Sequence, residues 1–217
     1  MSQSLKQIAQ RTGTDKFDHK YCDFYESLFS KLKYEPIKLL EIGILDGKSL
    51  EMWKEYFPNA IVYGADIINK KHYAKDRILI EECDQENPEQ LKNLFKDEIF
   101  DIIIDDGGHT MKQQQITFIN LFPRLKTKGM YILEDLHTSY AHYEQESKEW
   151  FYNTSNCKTT MDLLINMHGN LTVLEKNKFR LGFAVSESEI VDVYKSIDSI
   201  NIFFAKHSSY TSCITKK

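Results

Sequence analysis

FDIIIDDGGH, residues 100–109, is the most informative segment of the sequence. Its apolar half is typical of a buried parallel strand, and it ends abruptly in two acids, two glycines and a histidine. The apolar run at residues 129–133 ends in the same way, with Glu134, Asp135 and His137. Ligands of open α/β sheets bind beyond the carboxyl ends of the strands. Two such strand ends therefore predict a site that binds a metal, moves a proton, or does both.

The rest of the chain alternates short predicted strands with predicted helices. Strands are also predicted over residues 37–42, 61–65 and 78–80, and helices over residues 49–57, 88–95 and 113–125. The alternation is typical of βαβ units in a parallel sheet. After residue 140 the rhythm changes. There the sequence predicts a helix over residues 160–167 and late strands over 171–174, 179–185 and 200–205, which we expect to close the sheet as a hairpin.

Composition excludes several classes of protein. The 217 residues fit one domain with appendages, and the net charge of −4 with scattered basic residues gives no footprint for nucleic acid. The four cysteines form no CxxC pair, which disfavours zinc ribbons and disulfide frameworks and favours a reducing compartment. No apolar run approaches the roughly 18 residues of a membrane span, and the N-terminus lacks the core of a signal peptide. We expect a cytoplasmic protein without nucleic-acid or membrane partners.

Acids follow successive predicted strands, and they indicate a nucleoside site. Gly43 and Gly47 let the backbone turn sharply after the first strand, although the middle glycine of the dinucleotide fingerprint is absent. That spacing alone fits an ordinary strand–helix turn equally well. Asp66 closes the second strand, where an acid can accept both ribose hydroxyls. Asp84 follows the third strand, where a carboxylate can accept from an adenine amino group, and Asp105 closes the fourth.

These segments resemble a known cofactor site. LEIGILDG, GAD and DQ, at residues 40–47, 64–66 and 84–85, resemble the S-adenosylmethionine site of class I methyltransferases. The resemblance implies a Rossmann-like α/β fold, with a mostly parallel seven-stranded sheet flanked by helices. It also implies S-adenosylmethionine as cofactor, bound by Glu41, Gly43, Asp66, Asp84 and Asp105. Glu41 and Gly43 would then lie near the methionine part, although an N-cap-like role at the turn is open for Glu41.

The two polar strand ends resemble a narrower group. DDGGH at residues 105–109 and EDLHTSY at 134–140, together with GTDK at 13–16, resemble the metal-dependent sugar O-methyltransferases of the mycinamicin type. The resemblance runs from about residue 11 to about residue 140. It implies that Mg²⁺ or Mn²⁺ is bound by Asp106, Glu134 and Asp135, with His109 as general base and Asp106 also catalytic. Carboxylates without a nearby cysteine suit these hard cations.

The resemblance also suggests residues that contact a sugar acceptor. They are Tyr21, Tyr25, His137 and Tyr140. Structural alternatives remain open at this stage: the tyrosine pair at helical spacing could be core aromatics, and His137 could bond backbone. Asp106 could cap the helix that follows it, and His109 could be a structural histidine.

The resemblance implies a division of the chain and leaves its acceptor open. Residues 1–35 are predicted as a helical cap and 36–217 as the methyltransferase domain, with 141–170 as an insertion on the acceptor side. The chain is shorter than the macrolide-tailoring enzymes, and we expect it to lack their additional N-terminal domain. We therefore expect a smaller acceptor, such as a nucleotide sugar or a surface polysaccharide, and leave open whether the chain forms a homo-oligomer.

Other functions compete with this one. The acids could orient an acceptor in a metal-independent methyltransferase. The chain could also bind the donor without turnover, as a partner subunit, although a binding module has no need of a metal and a base. A nicotinamide oxidoreductase is disfavoured because the phosphate-binding glycine is missing.

Overall fold

The computed structural model describes residues 3–140, 158–168, 182–204 and 210–217. Its helices are α1 (Leu5–Thr12), α2 (Tyr21–Phe29), α3 (Lys48–Tyr56), α4 (Pro88–Asn93), α5 (Met111–Leu121), α6 (Thr160–His168) and α7 (Glu187–Lys195). Its strands are β1 (Lys38–Ile42), β2 (Ile61–Asp66), β3 (Ile78–Glu82), β4 (Phe100–Asp105), β5 (Leu125–Leu133), β6 (Ile197–Phe204) and β7 (Tyr210–Lys216).

The seven strands form one sheet in the order β3-β2-β1-β4-β5-β7-β6. Strands β1 to β5 run parallel, whereas β7 runs antiparallel to both β5 and β6. The predicted mostly parallel, seven-stranded α/β sheet is therefore confirmed. Ile42 is in register with Ala65 on one side and with Asp105 on the other, and Asp105 is in register with Leu133. The carboxyl ends of four strands therefore meet at one edge of the sheet.

The sheet is covered on both faces at its centre, where strands β1, β2 and β4 are mostly buried. One apolar cluster packs the described helices α4 to α7 against one face, around buried side chains such as Phe100, Phe118 and Tyr131. A second cluster packs α1, α2 and α3 against the other face, around Tyr25 and Trp53. This layered arrangement is the usual way in which a parallel sheet removes its apolar surface from water.

The helical N-terminus is part of the second cluster. A capping box at Ser4 and Gln7 starts α1, and Gly13, in the left-handed conformation with φ 73°, ends it. The chain then turns back through residues 14–20 before α2 begins. Leu5 and Tyr25 are completely buried. The division into a cap and a domain remains a prediction, since the cap shares its core with the sheet.

No described strand corresponds to two of the predicted strand segments. Residues 183–185, within the segment predicted as a strand over 179–185, form bends instead. Their backbone is bonded by a side chain, since Ala184 N donates to Gln115 Oε1 at 2.8 Å. The other segment, residues 171–174, lies outside the described residues, as does most of the predicted insertion at 141–170. The late hairpin is present, but it pairs β6 with β7, which the sequence analysis missed.

Candidate functional site

A cavity of about 930 Å³ lies at the carboxyl edge of the parallel strands. Its wall includes seven of the predicted site residues: Gly43, Asp66, Asp84, Asp106, His109, Asp135 and His137. The residues after β1, β2 and β3 form one part of the wall, which we call the loop side (Gly43, Asp66 and Asp84). Side chains after β4 and β5 form the facing part.

The loop side begins with a glycine that no other residue can replace without strain. Gly43 has φ 80°, and a Cβ there would lie 2.0 Å from the carbonyl oxygen of Asp106. Gly43 N donates to Ala65 O, and Asp106 N donates to Ile42 O, so the turn is fixed between two neighbouring strands. The glycine therefore brings the loops after β1 and β4 into contact at the cavity wall.

The two acids of the loop side are held by backbone amides. Asp66 accepts from Ile44 N at 3.2 Å and from Ile68 N at 2.9 Å. Asp84 accepts from Glu86 N at 2.8 Å. A carboxylate oxygen has lone pairs for more than one donor, so both acids retain capacity for hydroxyl or amino groups of a ligand.

A buried lysine occupies the base of the facing wall. Lys16 is 1% exposed, and its Nζ lies 2.6 Å from Asp106 Oδ2, 2.8 Å from Glu134 Oε1 and 3.1 Å from Glu41 Oε1. These oxygens belong to segments at the ends of three strands. We call this group, with Asp135, the carboxylate cluster (Glu41, Asp106, Glu134, Asp135 and Lys16). The cluster has four carboxyl groups and one ammonium, which contacts three of them, and the sequence analysis assigned Lys16 no role.

Two tyrosines of α2 also donate to the cluster. Tyr21 OH donates to Asp135 Oδ1 at 2.6 Å, and Tyr25 OH donates to Glu134 Oε1. Both tyrosines are buried and neither lines the cavity. The structure therefore does not bring Tyr21 or Tyr25 to the place predicted for an acceptor. Both pack in the core and position carboxylates, and their contact with an acceptor stays a prediction.

His109 lies beside the carboxylate cluster and lines the cavity with Asp106 and Asp135. His109 Nε2 lies 3.1 Å from Asp135 Oδ2 and 4.0 Å from Asp106 Oδ1. Both His109 and Asp135 have a positive φ, 59° and 55°, which is uncommon for residues other than glycine. Such backbone conformations collect at functional sites, where surrounding structure holds them in place.

The cavity side of the cluster fits a metal ion. Ligand atoms of Asp106, His109 and Asp135 all lie within 4.8 Å of one another. Carboxylate oxygens suit Mg²⁺ or Mn²⁺, and the partial exposure of all three residues leaves room for water. Glu134 is 1% exposed, and its Oε1 is bonded to Lys16 and Tyr25. Its role as a third carboxylate ligand, beside Asp106 and Asp135, stays a prediction.

Electrostatics in the cluster favour an added cation. Burial raises the pKa of Glu134 well above its usual range, and the neighbouring Asp106 raises it further. Burial also raises the pKa of Asp106 and of Glu41, and Lys16 partly opposes both shifts. Burial lowers the pKa of Lys16, but the carboxylates around it raise that pKa well above its usual value. Lys16 therefore stays charged, and the acids it does not neutralise gain from a further positive charge.

Three predicted residues lie beside the cavity rather than in its wall. Glu41 is completely buried and accepts from Ser49 Oγ at 2.7 Å and from Trp53 Nε1 at 3.2 Å, so it supports α3 and Lys16 instead of capping the turn. Asp105 is buried under the opposite face of the sheet. Tyr140 packs against the ring of Tyr210 at 5.3 Å. None of these three residues lines the cavity, and their direct contact with a ligand stays a prediction.

Asp105 has its own buried network. It accepts from Gln85 Nε2 at 3.2 Å and from Tyr131 OH at 3.2 Å, and burial raises its pKa to about 7. Gln85 Oε1 also accepts from Gly108 N at 2.7 Å. Gln85 is thus a further supporting residue that sequence reasoning passed over: it joins the loop after β3 to the glycine turn before His109.

The helix after the glycine turn does not use Asp106 as its cap. Thr110 begins α5, accepting from Gln113 N at 3.2 Å, while the Gln113 side chain accepts from Thr110 N. This capping box satisfies the helix end and leaves Asp106 to the cluster. His137 lines the cavity, with Nδ1 3.7 Å from Asp135 Oδ1.

Comparison with curated proteins finds sugar-modifying relatives, although no family model matches the chain. The 8-demethyl-8-alpha-L-rhamnosyl tetracenomycin-C 2'-O-methyltransferase of Streptomyces olivaceus is 39% identical over 146 residues, which are 63% of this chain and 38% of that protein. The mycinamicin VI 2''-O-methyltransferase of Micromonospora griseorubida is 34% identical over 146 residues, 63% of this chain and 37% of that protein. The match thus spans well under half of the length of these relatives.

Comparison with solved structures agrees. The MycE methyltransferase of the mycinamycin biosynthetic pathway, in complex with Mg, SAH and mycinamycin VI, superimposes with a TM-score of 0.76 at 25% identity, covering 99% of this chain and 55% of that chain. A putative caffeoyl-CoA O-methyltransferase from Staphylococcus aureus superimposes with a TM-score of 0.51 at 15% identity, a likeness of fold alone. The predicted Rossmann-like methyltransferase fold and the resemblance to the mycinamicin-type proteins are confirmed.

Proposed function

We propose, from the premise that this chain is related by sequence and fold to the mycinamicin-type sugar O-methyltransferases, that it transfers a methyl group from S-adenosylmethionine to a sugar hydroxyl. One observation carries the proposal. A single cavity joins the loop side, which suits a nucleoside, to a carboxylate cluster with a histidine, which suits a metal and a proton. Neither half alone would separate this function from nucleotide binding or from a simple cation site.

The loop side would hold the donor. Asp66 and Asp84, positioned by backbone amides, would accept from the ribose hydroxyls and from the adenine amino group. Gly43 permits the close approach of the methionine part to the backbone. The structures of MycE, which superimpose over this chain, were obtained with SAH, and this supports the choice of donor.

The cluster would hold Mg²⁺ or Mn²⁺ through Asp106 and Asp135, with Glu134 retained as a predicted third carboxylate. When bound, such an ion lowers the pKa of a coordinated hydroxyl. Tyr21 fixes one oxygen of Asp135 and Lys16 fixes one oxygen of Asp106. These bonds orient the remaining oxygens, so that little reorganisation is needed when the ligands arrive.

His109 would act as the general base. The acceptor hydroxyl loses its proton to the imidazole nitrogen of His109 that does not face Asp135, the oxygen forms a bond to the donor methyl carbon, and the bond from that carbon to sulfur breaks with its electrons on sulfur. Asp135 Oδ2, 3.1 Å from Nε2, stabilises the imidazolium that results. His137, which also lines the cavity, would contact the acceptor sugar.

The acceptor is proposed as a sugar hydroxyl, since two relatives are named as O-methyltransferases of a rhamnosyl tetracenomycin and of mycinamicin VI. A nucleotide sugar or a polysaccharide residue is the narrower proposal, with no role for nucleic acid.

Among the described residues, no helix is long and apolar enough to cross a membrane. The cysteines Cys22, Cys83 and Cys213 are free thiols, which supports the proposal of a cytoplasmic location.

Two steps test the proposal. Calorimetric titration with S-adenosylhomocysteine should show one site per chain. Methyl transfer from labelled donor to a panel of nucleoside-diphosphate hexoses and methyl hexosides should then give a labelled product that disappears with EDTA and returns with Mg²⁺. A labelled product that persists in EDTA would favour the metal-independent alternative. Donor binding with no product from any hydroxyl acceptor would favour a binding subunit.

The role of His109 has its own test. His109→Ala should lower turnover by about 10²–10⁴-fold, the usual contribution of a general base, while Mn²⁺ and donor affinities stay near wild type. A parallel loss of Mn²⁺ affinity would identify His109 as a ligand rather than as the base.

A further inference from the structure

The ammonium of Lys16 is held by the carboxylate cluster, through hydrogen bonds to Asp106 and Glu134 and an ion pair with Glu41. An ammonium has three N–H donors, and Lys16 Nζ faces three carboxylate oxygens: Asp106 Oδ2, Glu134 Oε1 and Glu41 Oε1, at 2.6, 2.8 and 3.1 Å. These oxygens come from three different strand ends, and the lysine is 1% exposed. Lys16 is thus fixed at the inner side of the cluster, away from water.

The N-terminal segment places this lysine. Gly13 ends α1 with a left-handed turn, and Lys16 O then accepts from Tyr21 N at 3.1 Å, at the start of α2. The Lys16 carbonyl also lies 3.7 Å from Cys22 Sγ. Because both its backbone and its side chain are held, Lys16 cannot move aside without breaking the packing of α2.

Lys16 divides the cluster into two parts. The inner part consists of the oxygens already bonded to Lys16, and Glu134 Oε1 is bonded to Tyr25 as well. The outer part consists of Asp106 Oδ1 and Asp135 Oδ2, which lie beside His109 in residues that line the cavity. A cation that entered the inner part would have to displace the ammonium or lie directly against its charge.

We propose that Lys16 is a positioning residue that fills the inner part of the carboxylate cluster and so confines a divalent cation to the outer part, where it is open to water and to an acceptor hydroxyl. This inference rests on the proposed function, because it assumes a divalent cation at the same site. Without the ammonium, Glu41 and Glu134 Oε1 would become available to the ion, which would settle deeper with more carboxylate oxygens around it and fewer waters. Affinity for the ion would then rise, while the access of water and of an acceptor hydroxyl to the ion would fall.

The test compares the wild type with Lys16→Met, which keeps the length of the side chain and removes its charge. Mn²⁺ binding is titrated by electron paramagnetic resonance, and the water-proton relaxivity of the bound ion reports its access to water. Lys16→Met should bind Mn²⁺ at least about tenfold more tightly, with lower relaxivity per bound ion. The matched control is Lys112→Met, an exposed lysine whose Nζ lies 2.7 Å from Glu86, and it should behave as wild type.

Each outcome decides. The inference is overturned if a folded Lys16→Met binds Mn²⁺ no more tightly than the wild type, or if its relaxivity is unchanged. The proposed metal role is a separate claim, and it stands as long as the wild type binds Mn²⁺. No Mn²⁺ binding by the wild type overturns both. If Lys16→Met does not fold alone, it is refolded with and without Mn²⁺: the ion should replace the ammonium and restore folded protein, and a failure to do so contradicts the inference.

Discussion

The loop side and the carboxylate cluster share one cavity but are built in different ways. On the loop side, each acid follows its own strand and is held by nearby backbone amides, as Asp66 is by Ile44 and Ile68. In the cluster, side chains far apart in sequence hold one another: Lys16 bonds Asp106 and Glu134, which are 90 and 118 residues away. The loop side is thus a local product of the parallel sheet, whereas the cluster depends on the packing of the N-terminus.

The largest effect should come from breaking the cluster. In EDTA, Lys16→Met should lower the free energy of unfolding by about 4 kcal/mol, because three buried carboxyl groups lose their counter-charge. Lys112→Met removes an ion pair of similar length at an exposed position and should cost at most about 1 kcal/mol. Urea denaturation measures both. Equal losses in the two variants would mean that burial of the cluster has no energetic weight.

Asp105 provides a pH-dependent test beneath the site. Its folded pKa of about 7 lies above its ordinary 3.8, so the folded protein holds a proton that the unfolded chain has released. Stability from this group is therefore fully present below about pH 4 and is lost as the pH rises to about 7. Through this group the wild type should lose up to ~3 kcal/mol of its free energy of unfolding between pH 5 and pH 8, and Asp105→Asn should not show this loss. Urea denaturation at pH 5 and pH 8 measures it, and an unchanged difference between the two values would contradict the assignment.

Gly13 and Gly43 separate two costs of adding a side chain, the strain of a left-handed backbone and the clash with a neighbouring segment. Gly13 and Gly43 both have a positive φ, but a Cβ at Gly13 meets nothing nearer than Lys48 Cδ at 3.8 Å, whereas one at Gly43 meets the Asp106 carbonyl. Gly13→Ala should cost about 1 kcal/mol for the left-handed backbone. Gly43→Ala should cost about 2 kcal/mol more, since backbone has to shift. Similar losses in urea denaturation would show that the loops after β1 and β4 are not in rigid contact.

The smallest effect should separate the two halves of the cavity. Asp66→Asn should weaken binding of S-adenosylhomocysteine about tenfold, because hydrogen bonds to a charged group are worth more than those to a neutral one. Its Mn²⁺ affinity should stay that of the wild type. Asp192→Asn, at an exposed position on α7, is the control for the loss of a surface charge. Calorimetry measures both ligands, and a change in Mn²⁺ affinity would mean that the halves are coupled.

The same contrast explains what the sequence could predict. Asp66, Asp84 and Asp106 lie in the cavity wall as expected, because strand ends in a parallel sheet meet at one edge whatever the details of packing. Side-chain direction was harder to predict. Glu41 and Asp105 stand at strand ends too, but the strands turn their side chains into the two opposite faces of the sheet and away from the wall.

Lys16 could not be assigned from its position in the sequence. It stands in a polar turn that reads as solvent-exposed, and its burial depends on α1 and α2 packing against the sheet. Strand β7 did leave a signal: its β-branched residues Thr211, Ile214 and Thr215 are typical of strands. Its pairing with β5 joins residues far apart in sequence, such as Met130 and Thr215, and no local pattern predicts it.

One measurement addresses the central claim, that one cavity holds a methyl donor beside a divalent cation. The proton relaxation of S-adenosylhomocysteine is recorded by nuclear magnetic resonance with the wild type and one equivalent of Mn²⁺, and with Asp135→Asn as control. We predict strong relaxation of the protons beside the sulfur, weaker relaxation of the adenine protons, and loss of both effects in the variant. Donor that binds tightly but relaxes equally with and without bound Mn²⁺ would contradict the account.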